Sequence, residues 1–284
     1  MKTRIISAII AALIIIPVVY FGGFYYRVGV GLVAVIGYTE FLMAREKNHK
    51  IPDLVKVISY IALFMLFINN VLNKATFGID YRFLLMLILI FLIPIIFYHD
   101  ENKYNTDDAL YLIGGTLFLS MAFGILYHIR ETGLNTLIYL LTITIASDTF
   151  AYFTGVLIGK HKMIPSLSPK KTWEGALGGT IMSVVLGTIY YANFMTTDTS
   201  ILVVVLMTLF LSVISQFGDL IFSAIKRHAK IKDFSNIMPG HGGILDRLDS
   251  LILIMIAYML IILWEEFYDT YIFCFSIRYY YFNT

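Results

Sequence analysis

Nine stretches of this chain are each long and apolar enough to cross a bilayer as a helix, which restricts the fold more than any other sequence feature. They centre on residues 5–20, 28–44, 54–72, 82–98, 108–127, 134–158, 174–195, 200–225 and 249–266, against the roughly 20 mostly apolar residues that a spanning helix needs. Membrane strands would read as segments of about 10 residues with two-residue alternation, and no such pattern is present. Composition agrees: 59% of the 284 residues are hydrophobic, only 14% are charged, and the mean hydropathy is +0.80. A soluble domain, at about 45–50% apolar and 25% charged, could not hide that much apolar surface. The expected fold is all-α, a polytopic integral membrane protein with about nine transmembrane helices.

The first run begins MKTRIISAIIAALIIIP, with Lys2 and Arg4 ahead of it, and no small-x-small cleavage pattern follows. It reads as an uncleaved signal anchor. A single cysteine, Cys274, rules out an intramolecular disulfide and a Cys-rich metal site. Net charge is only +2, but its distribution is uneven. With nine spans, sixteen of the 21 basic residues fall on the side of the N-terminus, leaving Arg27, Lys74, Arg82, Arg130 and Arg278 on the other. The positive-inside rule then places the N-terminus and the basic loops in the cytoplasm and the C-terminus outside. The expected location is the cell (inner) membrane, multi-pass, with any site in those loops facing the cytoplasm.

Three regions follow along the chain. Residues 1–107 are apolar helices with short loops, 108–267 hold nearly all the intramembrane polarity, and 268–284 form an aromatic tail. In the first region, Glu40 is expected to be a structural residue near a helix end, snorkelling or paired with Arg45, and the acidic segment 98–108 a solvated connector. The second region differs. Polar residues enter its helices at SDTFAYFTG (147–155), SQFGDL (215–220) and KDFSNIMPGHGGILDRLDS (232–250), with a basic loop of two prolines within 159–179.

Spacing turns that polarity into candidate chemistry. Ser215, Asp219, Ser223 and Lys226 recur at four, four and three residues and share one helix face, with Arg227 beside it. Asp148, Tyr152 and Gly155 make a similar face. Pro239-Gly240 calls for a turn, and Gly242-Gly243 is expected to leave backbone N–H groups open to a phosphate. Asp246 and Asp249 lie three apart at the start of the last helix, where carboxylates also suit the helix dipole; site and cap readings both stand. His241 could ligate a metal or move a proton, but it has no second histidine nearby, which speaks against zinc. Lys170-Lys171 could be topological charge or phosphate ligands. Hard carboxylates among lysines and glycine turns favour Mg²⁺ and phosphate. GVLIGKH (155–161) lacks the spacing and the hydroxyl of a P-loop. The residues alone therefore reach Mg²⁺-dependent chemistry on a phosphate-bearing substrate at the membrane face, without naming the substrate.

The stretch SAIKRHAKIKDFSNIMPGHGGILDRLD (223–249) resembles the signature of the phosphatidate cytidylyltransferases, and SDTFAYFTGVLIGKHK, SPKKTWEGALGG and SQFGD resemble further blocks of that family. The resemblance implies transfer of CMP from CTP to phosphatidate, giving CDP-diacylglycerol and pyrophosphate. It implies Mg²⁺ on Asp219 and Asp246, with K⁺ beside it as an optional second ion. Asp148 would stand near the nucleotide or metal. Lys226, Arg227, Lys170 and Lys171 would hold phosphates, His241 and Asp249 would shape or hydrogen-bond the site, and Lys232, Arg247, Ser223, Gly242 and Gly243 would also bind substrate. Expected partners are CTP, the lipid and the bilayer, with no nucleic acid, and a homodimer by family analogy. Two positions depart from the pattern: Phe150 stands where glycine is frequent, and Val156 where arginine is frequent. A missing arginine would leave Lys160 or Lys162 to replace it.

Two rivals remain on the residues alone. A CTP-dependent lipid or polyprenol kinase would share the setting but transfer the γ-phosphoryl group. A transporter would also carry intramembrane carboxylates, though its polar sites would recur in both halves.

Overall fold

In the computed structural model, residues 2–72, 81–195, 199–240 and 242–282 are described, with side chains from Ile6 to Trp264 apart from Ala8. Lys74 and His241 lie outside the described residues, as do the side chains of Lys2, Arg4, Cys274 and Arg278. Nine helices run in chain order among the described residues: α1 (Lys2–Phe21), α2 (Gly23–Glu46), α3 (Asp53–Leu72), α4 (Tyr81–Tyr98), α5 (Thr106–Thr132), α6 (Leu134–Ile158), α7 (Trp173–Phe194), α8 (Ile201–His228) and α9 (Leu245–Phe282). Eight are long and apolar enough to span a membrane, the last of these over Leu245–Trp264; in α1 the apolar stretch, Ile9–Phe21, is shorter. The all-α architecture expected from the apolar runs is the one found.

Among the described residues the two strands lie in the basic loop 159–172. β1 (Lys162–Ile164) and β2 (Ser168–Thr172) pair antiparallel as a small hairpin between α6 and α7. Three and five residues give no readable periodicity, so the sequence showed only a loop.

Helix α5 lies at the centre, packed against α2, α3, α4, α6 and α9. Its polar atoms are satisfied internally, as a low-dielectric interior demands. Tyr38 on α2 and Thr116 on α5 share a hydrogen bond of 2.7 Å, and Tyr26 donates to Leu126 O at 3.0 Å. The Phe41 and Tyr111 rings stack with centroids 4.2 Å apart, sealing α2 against α5. The second half pairs α6 with α7 and α8 with α9.

One end of the bundle gathers the polar connections. Asn48 Nδ2 donates to His228 O at 3.3 Å, His49 Nε2 lies 2.8 Å from Asn102 O, and Ser7 Oγ donates to Pro239 O at 3.2 Å. These contacts bring the N-terminal end of α1, the α2–α3 and α4–α5 connections and the 229–244 loop to one face. They are the segments that the charge count groups together. Arg27, Arg82 and Arg130 lie at the opposite ends of α2, α4 and α5.

The acidic connector is not simply solvated. Asp108 is fully buried: its Oδ1 accepts from Arg45 Nε at 2.8 Å, and His49 Nδ1 lies 2.6 Å from its Oδ2. Asp108 also completes a capping box with Asn105, accepting from Asn105 N at 3.3 Å while Asn105 Oδ1 accepts from Asp108 N at 2.9 Å. Arg45 is thus committed to Asp108 and not to Glu40. Removing one member of a buried pair costs about 3–5 kcal/mol, because the other charge stays behind unpaired. Asp108→Ala is therefore expected to lower the unfolding temperature of the detergent-purified protein sharply, whereas Asp107→Ala, at an exposed neighbour, should leave it nearly unchanged.

Candidate active site

The site assembles where α6, α7, α8, α9 and the hairpin meet. Gly218 allows its closest approach: a Cβ there would stand 2.9 Å from both Asp249 O and Ser250 Cα. Without a side chain at 218, α9 lies directly on α8, and Asp219 comes alongside Asp249. One turn away from the loop, Gln216 fastens α8 to its other neighbours. Its Nε2 donates to Ala176 O at 3.0 Å, Thr180 Oγ1 at 2.9 Å and Ser147 Oγ at 3.3 Å. Because Ser147 adjoins Asp148, this amide sets the spacing between Asp148 and Asp219. Asp148 and Asp249 lie within electrostatic range of Asp219 and of each other, with Lys171 and Arg247 near Asp148 and Lys226 near Asp249. Asp148 is exposed although it sits about 15 Å along α6 from the helix end at Ile158. An ionisable group at such a depth marks a cavity or interface rather than plain lipid contact.

Lysines answer these carboxylates in pairs. Thr172 caps α7, its Oγ1 accepting from Gly175 N at 3.1 Å, and Glu174 accepts from Lys160 N at 3.1 Å and lies 2.6 Å from His161 Nδ1. Those anchors hold the hairpin against α7 and carry Lys171 inward: its Nζ donates to Asp219 Oδ2 at 2.7 Å and to Gln216 O at 3.3 Å. Lys170, its neighbour on β2, is exposed. Ser223 Oγ donates weakly to Asp219 Oδ1 at 3.4 Å. The second pair is deeper. Lys226 Nζ donates to Asp246 Oδ1 at 2.6 Å and stands 5.6 Å from the Phe234 ring centroid.

Asp246 also organises the loop before α9. Its Oδ2 accepts from Phe234 N at 2.8 Å and Gly243 N at 3.0 Å. Met238 and Gly242 exchange backbone hydrogen bonds of 3.0 and 3.1 Å, closing a tight turn in which Gly240 and Gly242 take φ of 80° and 83°. These angles suit glycine and explain Gly240 and Gly242. They also correct the expectation of open amides: the Gly242 N–H goes to Met238 O, and the Gly243 N–H goes to Asp246.

Other expected residues stand further out. Arg227 is exposed and donates to Ile231 O at 2.9 Å, tying down the chain after α8. Arg247 is exposed on the first turn of α9. Lys232 lines a different cavity, of about 980 Å³, together with Glu40, Lys47 and Asp233; neither Asp148 nor Asp219 is in its wall. Val156 is 67% exposed, and Lys160 and Lys162 beyond it are exposed cations.

Two residues escaped the sequence reading. Gln216 lies inside the quoted SQFGD block, but an amide carries no charge to draw notice. Glu40 was read as a helix-end residue. In the structure it is fully buried and binds the start of α9: its Oε1 accepts from Ile244 N at 2.9 Å and its Oε2 from Leu245 N at 2.8 Å. An ionisable residue inside an apolar run was the available signal.

Carboxylate oxygens are the donors that a hard divalent ion prefers. Among the described residues no three acidic, histidine or cysteine side chains converge as a ready metal cage. The set therefore fits an ion held by one or two carboxylates, with water and substrate phosphate completing its shell, which is how Mg²⁺ is commonly bound.

Fold and site together define a class: a helical membrane protein with a lysine–aspartate cluster suited to a polyanion, set below one face of the bundle. The chain belongs to the cytidylyltransferase family, whose model matches residues 2–264. It is 33% identical over 263 residues to the phosphatidate cytidylyltransferase of Staphylococcus haemolyticus, covering 90% of this chain and 96% of the relative. The phosphatidate cytidylyltransferases of Staphylococcus epidermidis and Staphylococcus aureus are 34% and 31% identical, with the same coverage.

Helix contact beside Asp148 gives a direct test. A Cβ on Gly179 would stand 2.5 Å from Ser147 O and 2.9 Å from Ala151 Cβ, so α7 would have to move off α6. Gly179→Ala is expected to lower stability by about 1–3 kcal/mol and to reduce turnover with it. Gly114→Ala, where nothing lies within 4 Å, should do neither.

Proposed function

We propose that this protein is a phosphatidate cytidylyltransferase, transferring CMP from CTP to phosphatidate in phospholipid biosynthesis. The observation that carries the reading is the pairing of Lys171 with Asp219 and Lys226 with Asp246 beside Asp148 and Asp249, in a chain that matches the family over nearly its whole length. Four carboxylates suit the cations that accompany a triphosphate, and the two inward lysines can pass from Asp219 and Asp246 to its phosphates.

A phosphate oxygen of phosphatidate attacks the α-phosphorus of CTP. The bond from that phosphorus to the α–β bridging oxygen breaks, and pyrophosphate leaves with the electron pair. The attacking oxygen is already anionic at neutral pH, so no general base and no covalent enzyme intermediate are required. The residues serve by position and charge. Lys171 and Lys170 lie on the hairpin over the site, where they hold the phosphates that leave. Lys226, fixed by Asp246 and Phe234, holds charge at the floor. Asp219 and Asp246 would hold Mg²⁺, which would supply neutralisation of the triphosphate, and K⁺ is a candidate second ion. Asp148 and Asp249 keep that cluster electronegative enough to favour cations, and Gln216 holds Asp148 and Asp219 in register.

The site opens on the cytoplasmic side in this reading, because that face carries sixteen of the 21 basic residues. CTP then enters from solvent while the acyl chains stay in the bilayer.

CTP labelled at the α or the γ phosphorus separates this reading from a CTP-dependent lipid kinase. Purified protein in phosphatidate-containing micelles should transfer α label into lipid and release γ label as pyrophosphate. Entry of γ label into lipid would refute the cytidylyltransferase. Within the site, Asp219→Asn keeps the side-chain shape and is half-exposed, so it should fold normally while losing about 100-fold or more in turnover. Asp246→Asn should be inactive as well. Near-normal turnover by either variant would remove that residue from the reacting centre.

A further inference from the structure

Glu40 belongs to the first half of the chain, in a helix that the apolar pattern assigns only to the membrane, yet among the described residues its side chain bonds the last loop and the start of α9. Its Oε1 accepts from Ser235 Oγ at 2.5 Å and from Ile244 N at 2.9 Å, and its Oε2 accepts from Leu245 N at 2.8 Å. The carboxylate is fully buried, and no basic side chain bonds it among the described residues. Its charge is met by the N-terminus of α9, where unpaired N–H groups and the helix dipole both favour an anion. Gly243 packs so tightly on it that a Cβ there would collide with the carboxyl group.

That contact abuts the reacting centre. The Ile244 and Leu245 amides lie immediately before Asp246, and Ser235 follows Phe234, whose N–H is held by Asp246 Oδ2 at 2.8 Å. The loop is therefore clamped by two carboxylates from opposite sides. Asp246 takes the Phe234 and Gly243 amides and the Lys226 ammonium. Glu40 takes the amides and the hydroxyl that alternate with them. Withdrawing the Glu40 contacts frees the first turn of α9 to shift, and Asp246, Arg247 and Asp249 all ride on that turn.

We propose that Glu40 is a positioning residue for the transfer reaction. It fixes the first turn of α9, and through it Asp246 and its bond to Lys226, without touching either substrate. The proposal rests on the cytidylyltransferase reading for its effect on turnover, and on geometry alone for its effect on the loop.

Glu40→Gln tests both. The amide keeps the size of the side chain, but it can present only one oxygen to donors that now face two. Displacement of supporting groups near a reacting centre costs about 10–100-fold in rate, and that is the expected loss of kcat for CDP-diacylglycerol formation. A merely structural role would reduce the folded fraction. CTP-binding stoichiometry would then fall in step with turnover, and amide exchange would rise throughout the bundle. The proposal expects stoichiometry equal to that of the parent, with faster hydrogen exchange confined to segments 234–236 and 243–247. Ser235→Ala, which removes one of the three bonds, should give a smaller loss of the same kind and stands in should Glu40→Gln fail to fold. Turnover of Glu40→Gln within twofold of the parent, or of Ser235→Ala where that variant stands in, would overturn the proposal, as would stoichiometry falling in proportion to activity. If the parent itself makes no CDP-diacylglycerol, the functional reading fails. The exchange measurement then decides the positioning claim alone: a local rise upholds the clamp, and an unchanged loop overturns it.

Discussion

Non-helical backbone inside a helical bundle has to find acceptors for its N–H groups within the protein, and the 229–244 passage meets that demand with carboxylates. Ala229, Phe234, Gly242 and Gly243 of this segment are buried, and an unpaired amide at such a position is expensive. Asp246 takes two backbone amides, Glu40 takes two more, and Met238 and Gly242 satisfy each other. The passage thereby acquires one defined shape. The carboxylates that make this possible also fill the region with negative charge, and Lys226 and Lys171 follow from that excess.

Asp246 illustrates how a single group can serve both ends. Its Oδ2 is committed to backbone, so its orientation is fixed before any substrate arrives, while its Oδ1 meets the Lys226 ammonium. An ammonium can exchange for another cation or follow a phosphate without disturbing the loop. Asp219 is held more loosely, by Lys171 from a surface hairpin and a long bond from Ser223. One side of the site is thus rigid and the other is adjustable. Such a division suits a reaction whose catalysis is mostly alignment and charge.

The spans were legible because lipid imposes a length and a polarity on every crossing segment; residues 134–158 coincide with α6. The grouping of the charged connections was legible from the same physics, and the segments rich in lysine and arginine do share one end of the bundle. The position of each carboxylate along its helix could be read, but its partner could not. Glu40 and Leu245 are 205 residues apart, and no local pattern encodes such a contact. Arg45 looked like the natural partner of Glu40 by proximity in sequence, but it lies with Asp108 across the α2–α5 interface. The Gly242-Gly243 pair carried the correct signal, an unusual backbone, and its use was misjudged. The positive φ of Gly242 closes a turn and the missing Cβ of Gly243 lets Glu40 approach, whereas the amides that the pair was expected to expose are consumed.

The same contacts bear on the apparent division between an inert first half and a reactive second half. By polarity that division is real, since Asp148, Asp219, Asp246 and Asp249 all follow residue 107. By structure it is not, because α2 supplies the acceptor that starts α9. The Arg45–Asp108 pair and the Asn105 cap lock α2 to α5 at the same end. With its arginine bound elsewhere and its own carboxylate buried, Glu40 has no low-cost alternative to the α9 amides. Burying a carboxylate is expensive unless donors meet it, and here the donors belong to the helix that carries Asp246. The cost of burying Glu40 and the precision of the site are therefore coupled: a displacement of α9 that misaligned Asp246 would also strand a buried anion.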